Sequence, residues 1–238
     1  MGQGMELALA APEAATTPEE RVESEFLVCL VAQAGAVMCA SKPAAVFNFV
    51  PRQRDDADAA RTMALALEAA QTYARSMRAY GMELRVVCPM PGRVALLAWR
   101  PAAVERILSS EDNRAFLADF GYDTSSTEAY VTCTLERLRA YNEALRRHQA
   151  CRGCSCEACS QLPFPHEIGL LLGYPLDDVR GFIANHGHGC TERGVWKVYG
   201  NENAARAQFA RIKDDERRCM RLFRQGSPLR DLLVLGAA

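Results

Sequence analysis

Four cysteines are clustered in one short segment, and this cluster is the strongest candidate for metal chemistry in the sequence. Cys151, Cys154, Cys156 and Cys159 form two Cys-x-x-Cys pairs. Thiolates are soft ligands, and four of them complete the closed site that zinc or an iron-sulfur cluster requires. Only Ser155 separates the two pairs, whereas zinc ribbons place a long spacer there. The loop predicts a zinc or iron-sulfur site, and a redox-active thiol loop or a variable linker are the alternatives.

A second group of reactive side chains follows the cysteines. His166 and Glu167 are adjacent, and an imidazole beside a carboxylate can act as a general base with its orienting group, or can bind a ligand. Together with Tyr174, Lys197 and Tyr199 they form our ligand-binding set, which we expect to converge on one pocket. Adjacent helical residues do not face each other, so one cannot readily orient the other. The alternative is that Glu167 stabilises the positive end of the helix while His166 hydrogen-bonds a neighbouring segment. No catalytic residue is singled out.

The segment His186-Gly187-His188-Gly189-Cys190 offers imidazole and thiolate ligands between flexible glycines. Such residues suit zinc or iron if their side chains converge. The simpler interpretation is a helix end, because glycine terminates helices and a histidine near the last carbonyls interacts favourably with the helix dipole. We favour the helix end.

The elements that must position these side chains follow from apolar periodicity. A buried helix is predicted at 21–40 and a short strand at 45–49. A strongly amphipathic helix then carries apolar residues at steps of three or four over 63–80. Two β-rich runs, 83–88 and 93–99, predict a hairpin with a four-residue loop.

The second half of the chain is mostly helical. Ser125 and Glu128 fit a capping box that opens a long helix. Pro165 suits the first position of a short helix, and a further short strand is predicted at 195–199. Asn201 then caps the last helix. Helices outnumber strands, which predicts an α+β fold, with a helix-rich domain packed on a small, partly antiparallel sheet.

No repeat or long linker divides the chain. We expect residues 1–20 to form a disordered tail, because they are rich in Ala, Pro, Glu and Thr and show no periodicity. Residues 21–238 are predicted to fold as a single α+β domain with a Cys-rich loop at 150–162.

Composition narrows the function classes. The chain is 49% hydrophobic and 24% charged, which is typical of a globular protein and argues against overall disorder. Its net charge is −1 with no concentrated basic block, so no nucleic-acid partner is expected. No apolar run reaches the length of a membrane span and no signal peptide is evident, so we expect no membrane association and a cytoplasmic location. Protein partners are not indicated.

Four short motifs are distinctive. They are Phe-Pro-His-Glu-Ile-Gly at 164–169, Leu-Gly-Tyr-Pro at 172–175, Asp-Val-Arg-Gly-Phe-Ile at 178–183 and Gly-Val-Trp-Lys-Val-Tyr at 194–199. With these motifs the chain resembles an uncharacterised bacterial family, a domain of unknown function, over about residues 22–223. The resemblance implies kinship and no established activity. The cysteine cluster and the two histidines near residue 187 depart from the family pattern.

Three functions of different classes remain open. The first is a metal- or redox-linked binding protein that uses the Cys-rich loop. The second is a small-molecule-binding protein or enzyme with a pocket around the motif at 164–169. The third is an interaction or scaffold protein, in which the motifs only build the core. Whether the chain is an enzyme stays undecided at this stage.

Overall fold

The computed structural model describes residues 17–52, 58–150 and 164–236. In chain order the helices and strands are α1 (Pro18–Met38), β1 (Ala44–Phe49), α2 (Ala59–Arg78), β2 (Glu83–Met90), β3 (Arg93–Trp99), α3 (Pro101–Leu108), α4 (Glu111–Asp119), α5 (Thr127–Ala150), a 3-10 helix (His166–Gly169), α6 (Leu176–Ala184), β4 (Glu192–Arg193), β5 (Lys197–Val198), α7 (Glu202–Arg224), α8 (Leu229–Leu233) and a 3-10 turn (Val234–Gly236). Helices outnumber strands among these residues, and the predicted α+β class is confirmed.

Helix α1 is buried along most of its length, as its apolar composition predicts. It begins at Pro18, three residues before the expected start, because Thr17 and Glu20 form a reciprocal capping box. Each side chain accepts a hydrogen bond from the backbone N–H of the other residue, which satisfies two N–H groups at the helix start. The predicted tail boundary at residue 20 therefore overlaps the first turn of this helix.

The main sheet has the order β1-β3-β2, and both pairings are antiparallel. Its central strand β3 is buried on both faces, which explains why its sequence is a continuous apolar run. Alternate residues face opposite layers. Val94, Leu96 and Ala98 pack with α1 and α2, whereas Ala95, Leu97 and Trp99 pack with α3, α4 and α5.

The predicted hairpin is present, but its loop is shorter than expected. Met90 pairs with Arg93, so the turn consists of Pro91 and Gly92 alone, and Gly92 has φ +71°. Pro89 remains in the ladder opposite Val94 because β2 is an edge strand, where a residue without an N–H is tolerated. The four-residue loop of the sequence analysis was therefore wrong.

The helical layer on the second face starts close to the predicted positions. Helix α5 begins at Thr127, and Ser126 caps it by accepting a hydrogen bond from the Ala129 N–H at 3.1 Å. The cap thus lies one residue beyond the predicted Ser125. The 3-10 helix at His166–Gly169 and helix α6 complete this layer.

The C-terminal strands are shorter than the predicted strand at 195–199. Only Lys197 and Val198 pair, with Glu192 and Arg193, because the chain turns sharply where the Gly194 N–H donates to the Trp196 carbonyl at 3.0 Å. Helix α7 is capped by Asn201 as predicted and packs along α1.

One buried guanidinium joins the ends of three helices. Arg100, which is 6% exposed, donates hydrogen bonds to the carbonyls of Val37 and Met38 at the end of α1, each at 2.7 Å. It also donates to the carbonyl of Tyr80 after α2, at 3.3 Å, and to that of Leu233 at the end of α8, at 2.7 Å. The last carbonyls of a helix have no partner within the helix and carry partial negative charge, so one cation satisfies all three ends.

We expect Arg100→Met to lower the free energy of unfolding by about 3 kcal/mol, because it leaves buried carbonyls without donors. Arg61→Met removes a cation whose ion pair with Glu19 is exposed, and its effect should stay within about 1 kcal/mol. Urea unfolding of the two variants checks the difference. Equal losses would mean that the Arg100 hydrogen bonds contribute no more than a surface ion pair.

Candidate functional site

A cavity of about 490 Å³ lies between the 3-10 helix, α6 and the β4–β5 segment. This volume is within the range of small-molecule sites in proteins. Most of the side chains around it are apolar, and its lining consists of Phe164, His166, Ile168, Gly169, Leu172, Tyr174, Asp178, Val179, Phe182, Arg193, Gly194, Val195, Trp196 and Lys197.

The Asp178 carboxylate builds one side of this cavity. It is 3% exposed and accepts three hydrogen bonds, from the Trp196 indole at 2.7 Å and from the backbone N–H groups of Tyr199 and Gly200 at 2.7 and 2.8 Å. Its position in the first turn of α6 also places the negative charge at the favourable helix end. The carboxylate thereby holds the whole 194–200 segment against α6.

Two groups of rings face the cavity. Trp196 stacks on Tyr174 with 4.9 Å between ring centroids. His166 packs against Phe182 at 4.7 Å and against Phe164 at 5.4 Å. Aromatic pairs at these distances add stability beyond their buried area, so each group is a preformed wall.

Glycines allow the family motifs to pack this closely. A Cβ on Gly181 would overlap the Tyr199 side chain, and a Cβ on Gly173 would overlap the Pro43 ring. Gly173 also has φ +85°, a conformation that side chains disfavour. These two glycines join the α6 motif to the 194–199 motif, and the 172–175 motif to the start of β1.

Three of the five predicted ligand-binding residues meet at the cavity, and two do not. His166, Tyr174 and Lys197 line it. Glu167 and Tyr199 do not appear in its lining. The Tyr199 ring instead covers Gly181 on the other side of the segment. The expected convergence therefore holds for three positions of the set.

The Glu167 side chain contacts Tyr122 and also Arg137 of helix α5, and it does not line the cavity. It is 5% exposed and accepts hydrogen bonds from the Tyr122 hydroxyl at 3.1 Å and from Arg137 at 3.3 Å. The Arg137 guanidinium also lies 4.2 Å from the centre of the Tyr122 ring. Burial, together with the Glu167 charge, raises the pKa of Tyr122, which keeps its hydroxyl protonated as a donor. In this geometry Glu167 connects the 3-10 helix to α5 and does not orient His166.

Five further residues that line the cavity were not predicted as site residues from the sequence. Phe164 and Phe182 occur in the motifs but carry no chemical signal, and Arg193 is an ordinary surface residue type. Trp196 is buried and also faces the cavity. An aspartate at the start of a helix is a common dipole partner, so Asp178 could not be distinguished by sequence alone.

The metal predictions have different outcomes. Cys151, Cys154, Cys156 and Cys159 lie outside the described residues, so the zinc or iron-sulfur prediction stays a prediction. Within the described ranges, no three or more His, Cys, Asp or Glu side chains come together to hold a metal ion. The residues around Gly187 form a helix end instead, since α6 ends at Ala184 and both His186 and Gly187 have positive φ.

A family model covers most of the chain, including the motifs around this cavity. The model of the family "Protein of unknown function (DUF3793)" matches residues 30–233. The chain belongs to DUF3793. The match includes the fourteen described residues that line the cavity, and it confirms the resemblance to a domain of unknown function. No curated protein and no solved structure matches the chain significantly.

None of the described helices combines the length and the apolar character that a membrane span needs. Helix α1, the most apolar long helix, carries acidic residues in its first turn.

The substitution Asp178→Asn tests whether the hydrogen bonds of this carboxylate stabilise the 194–200 segment beside the cavity. In Asp178→Asn either the Trp196 indole or the two backbone N–H groups face an amide NH2, so at least one buried donor loses its acceptor. We expect a loss of about 2 kcal/mol in the free energy of unfolding, with a shifted indole resonance for Trp196. Asp177→Asn, an exposed neighbour in the same helical turn, is the control and should have little effect. Equal effects at the two positions would contradict the assigned role.

The His166 imidazole provides a pH-dependent signal. Burial lowers its pKa, although the Glu167 charge opposes this. The His166 imidazole therefore binds a proton less tightly in the folded protein than in the unfolded chain. As pH falls below the ordinary histidine pKa of about 6.5, protonation of His166 lowers the free energy of unfolding. We expect NMR titration, assigned with His166→Gln, to give a midpoint below that value. A midpoint at or above it would contradict the described environment.

Proposed function

We propose that this DUF3793 chain is a small-molecule-binding protein whose ligand occupies the cavity between α6 and the β4–β5 segment. The observation that carries the proposal is the preformed, aromatic-walled cavity of about 490 Å³. Small-molecule sites are typically concave and mainly apolar, with a few polar groups that set orientation. The walls here predict a ligand with a ring system and a largely apolar body.

Three polar groups support this proposal. His166, Arg193 and Lys197 line an otherwise mainly apolar cavity, and the neutral form of the imidazole is favoured by burial, which lowers its pKa. A neutral imidazole can donate one hydrogen bond and accept one. Glu167 is hydrogen-bonded to Tyr122 and Arg137, so in this geometry it does not orient His166 as a general base.

The neutral dye N-phenyl-1-naphthylamine tests the proposal, because its fluorescence increases in an apolar site. We expect saturable binding to the full chain at about one dye per protein. Val195→Trp should weaken this binding by about tenfold or more, because Val195 lines the cavity and an indole ring there would fill it.

The matched control is Val50→Trp, the same substitution at a valine that is 63% exposed and does not line the cavity. It should bind the dye as the unsubstituted protein does. Circular dichroism of both variants verifies that the fold is kept. Absence of dye binding to the unsubstituted protein, or equal binding by the two variants, would exclude the cavity as the binding site.

A further inference from the structure

Arg193 and Lys197 form the charged part of the cavity. They are directly opposite each other in the antiparallel pairing of β4 and β5. Side chains of directly opposed residues project to the same side of a sheet, and both of these line the cavity. Two like charges in this position repel each other and destabilise the pair. A two-residue ladder has few other interactions to offset that repulsion.

No carboxylate of the described residues forms an ion pair with either cation. The nearest candidate in sequence, Glu192, is bound to Arg206 at 2.6 Å. Asp178 lines the same cavity, but its carboxylate already accepts three N–H donors. The cavity therefore holds two cations and one carboxylate, and that carboxylate forms no ion pair with either of them among the described residues.

The Lys197 ammonium is held in place at the cavity. It donates to the Gly187 carbonyl at 2.7 Å and lies 5.5 Å from the centre of the Phe182 ring. A Cβ on Gly187 would come within 3.3 Å of this nitrogen and 3.1 Å of that ring, so glycine permits the approach. An ammonium has three N–H donors, and the carbonyl takes one. The group is thus oriented with donors left for a ligand.

We infer that the ligand of this cavity is an acid, with a carboxylate, sulfonate or phosphate group bound between Arg193 and Lys197 and an apolar ring system between the aromatic walls. An anion there relieves the repulsion between the two cations and accepts charge-assisted hydrogen bonds from both. This inference rests on the proposed function and specifies its ligand class.

Two dyes that differ by one sulfonate test the inference. 1-Anilinonaphthalene-8-sulfonate has the ring system of N-phenyl-1-naphthylamine with an added anionic group. We expect the protein to bind the sulfonate at least about tenfold more tightly than the neutral dye, since the added anion accepts charge-assisted hydrogen bonds from both cations. Added sodium chloride should weaken sulfonate binding and leave neutral-dye binding unchanged.

Substitutions assign the preference to the two cations. Lys197→Met and Arg193→Met should each lower the ratio of sulfonate affinity to neutral-dye affinity by about fivefold to tenfold, and circular dichroism verifies that the fold is kept. Lys197→Arg keeps the charge and should retain the preference. Lys213→Met, at an exposed lysine of α7 outside the cavity, is the control and should change neither affinity.

The outcomes separate the two proposals. Binding of both dyes with a sulfonate preference that the Lys197 and Arg193 substitutions remove supports the acidic ligand. Equal binding of both dyes, or a preference that survives both substitutions, overturns the acidic ligand and leaves the small-molecule site in place. Failure of both dyes to bind overturns both proposals.

Discussion

The buried carboxylate of Asp178 holds together the region that contains the proposed binding site. Burying a charge is costly unless hydrogen bonds replace its hydration, and Asp178 meets that condition with three N–H donors. All three donors belong to the 194–200 segment, which has only a two-residue ladder of its own. The carboxylate therefore holds Trp196 as one wall of the cavity and orients β5, so that Lys197 faces the same space.

The part of the fold behind this site depends on a buried cation, the Arg100 guanidinium, which is also satisfied by several hydrogen bonds. Arg100 satisfies the terminal carbonyls of α1 and α8 and the carbonyl of Tyr80 that follows α2. These segments cover one face of the sheet, while the layer that carries the 3-10 helix covers the other. Arg100 acts through backbone carbonyls, and two of the three donors to Asp178 are backbone N–H groups, so most of these bonds do not depend on the identity of the partner residue. Recognition of either interaction from sequence would need the fold in advance.

Local sequence patterns predicted much of the architecture. The helices at 18–38, 59–78 and 202–224 were recognisable because periodicity and caps are properties of neighbouring residues. Errors arose where distant contacts decide the backbone. The hairpin loop is shorter than predicted because β2 continues along β3, and the strand at 195–199 is limited to two residues by a tight turn and by the Asp178 hydrogen bonds.

For the candidate site, the sequence by itself predicted the family and three residues that line the cavity, His166, Tyr174 and Lys197. Side-chain chemistry and spacing carry that information. The tertiary structure alone decided that Glu167 faces α5 and that Arg193 stands opposite Lys197, because orientation depends on contacts between segments far apart in the chain. The charge balance of the cavity likewise arises only when those segments pack together.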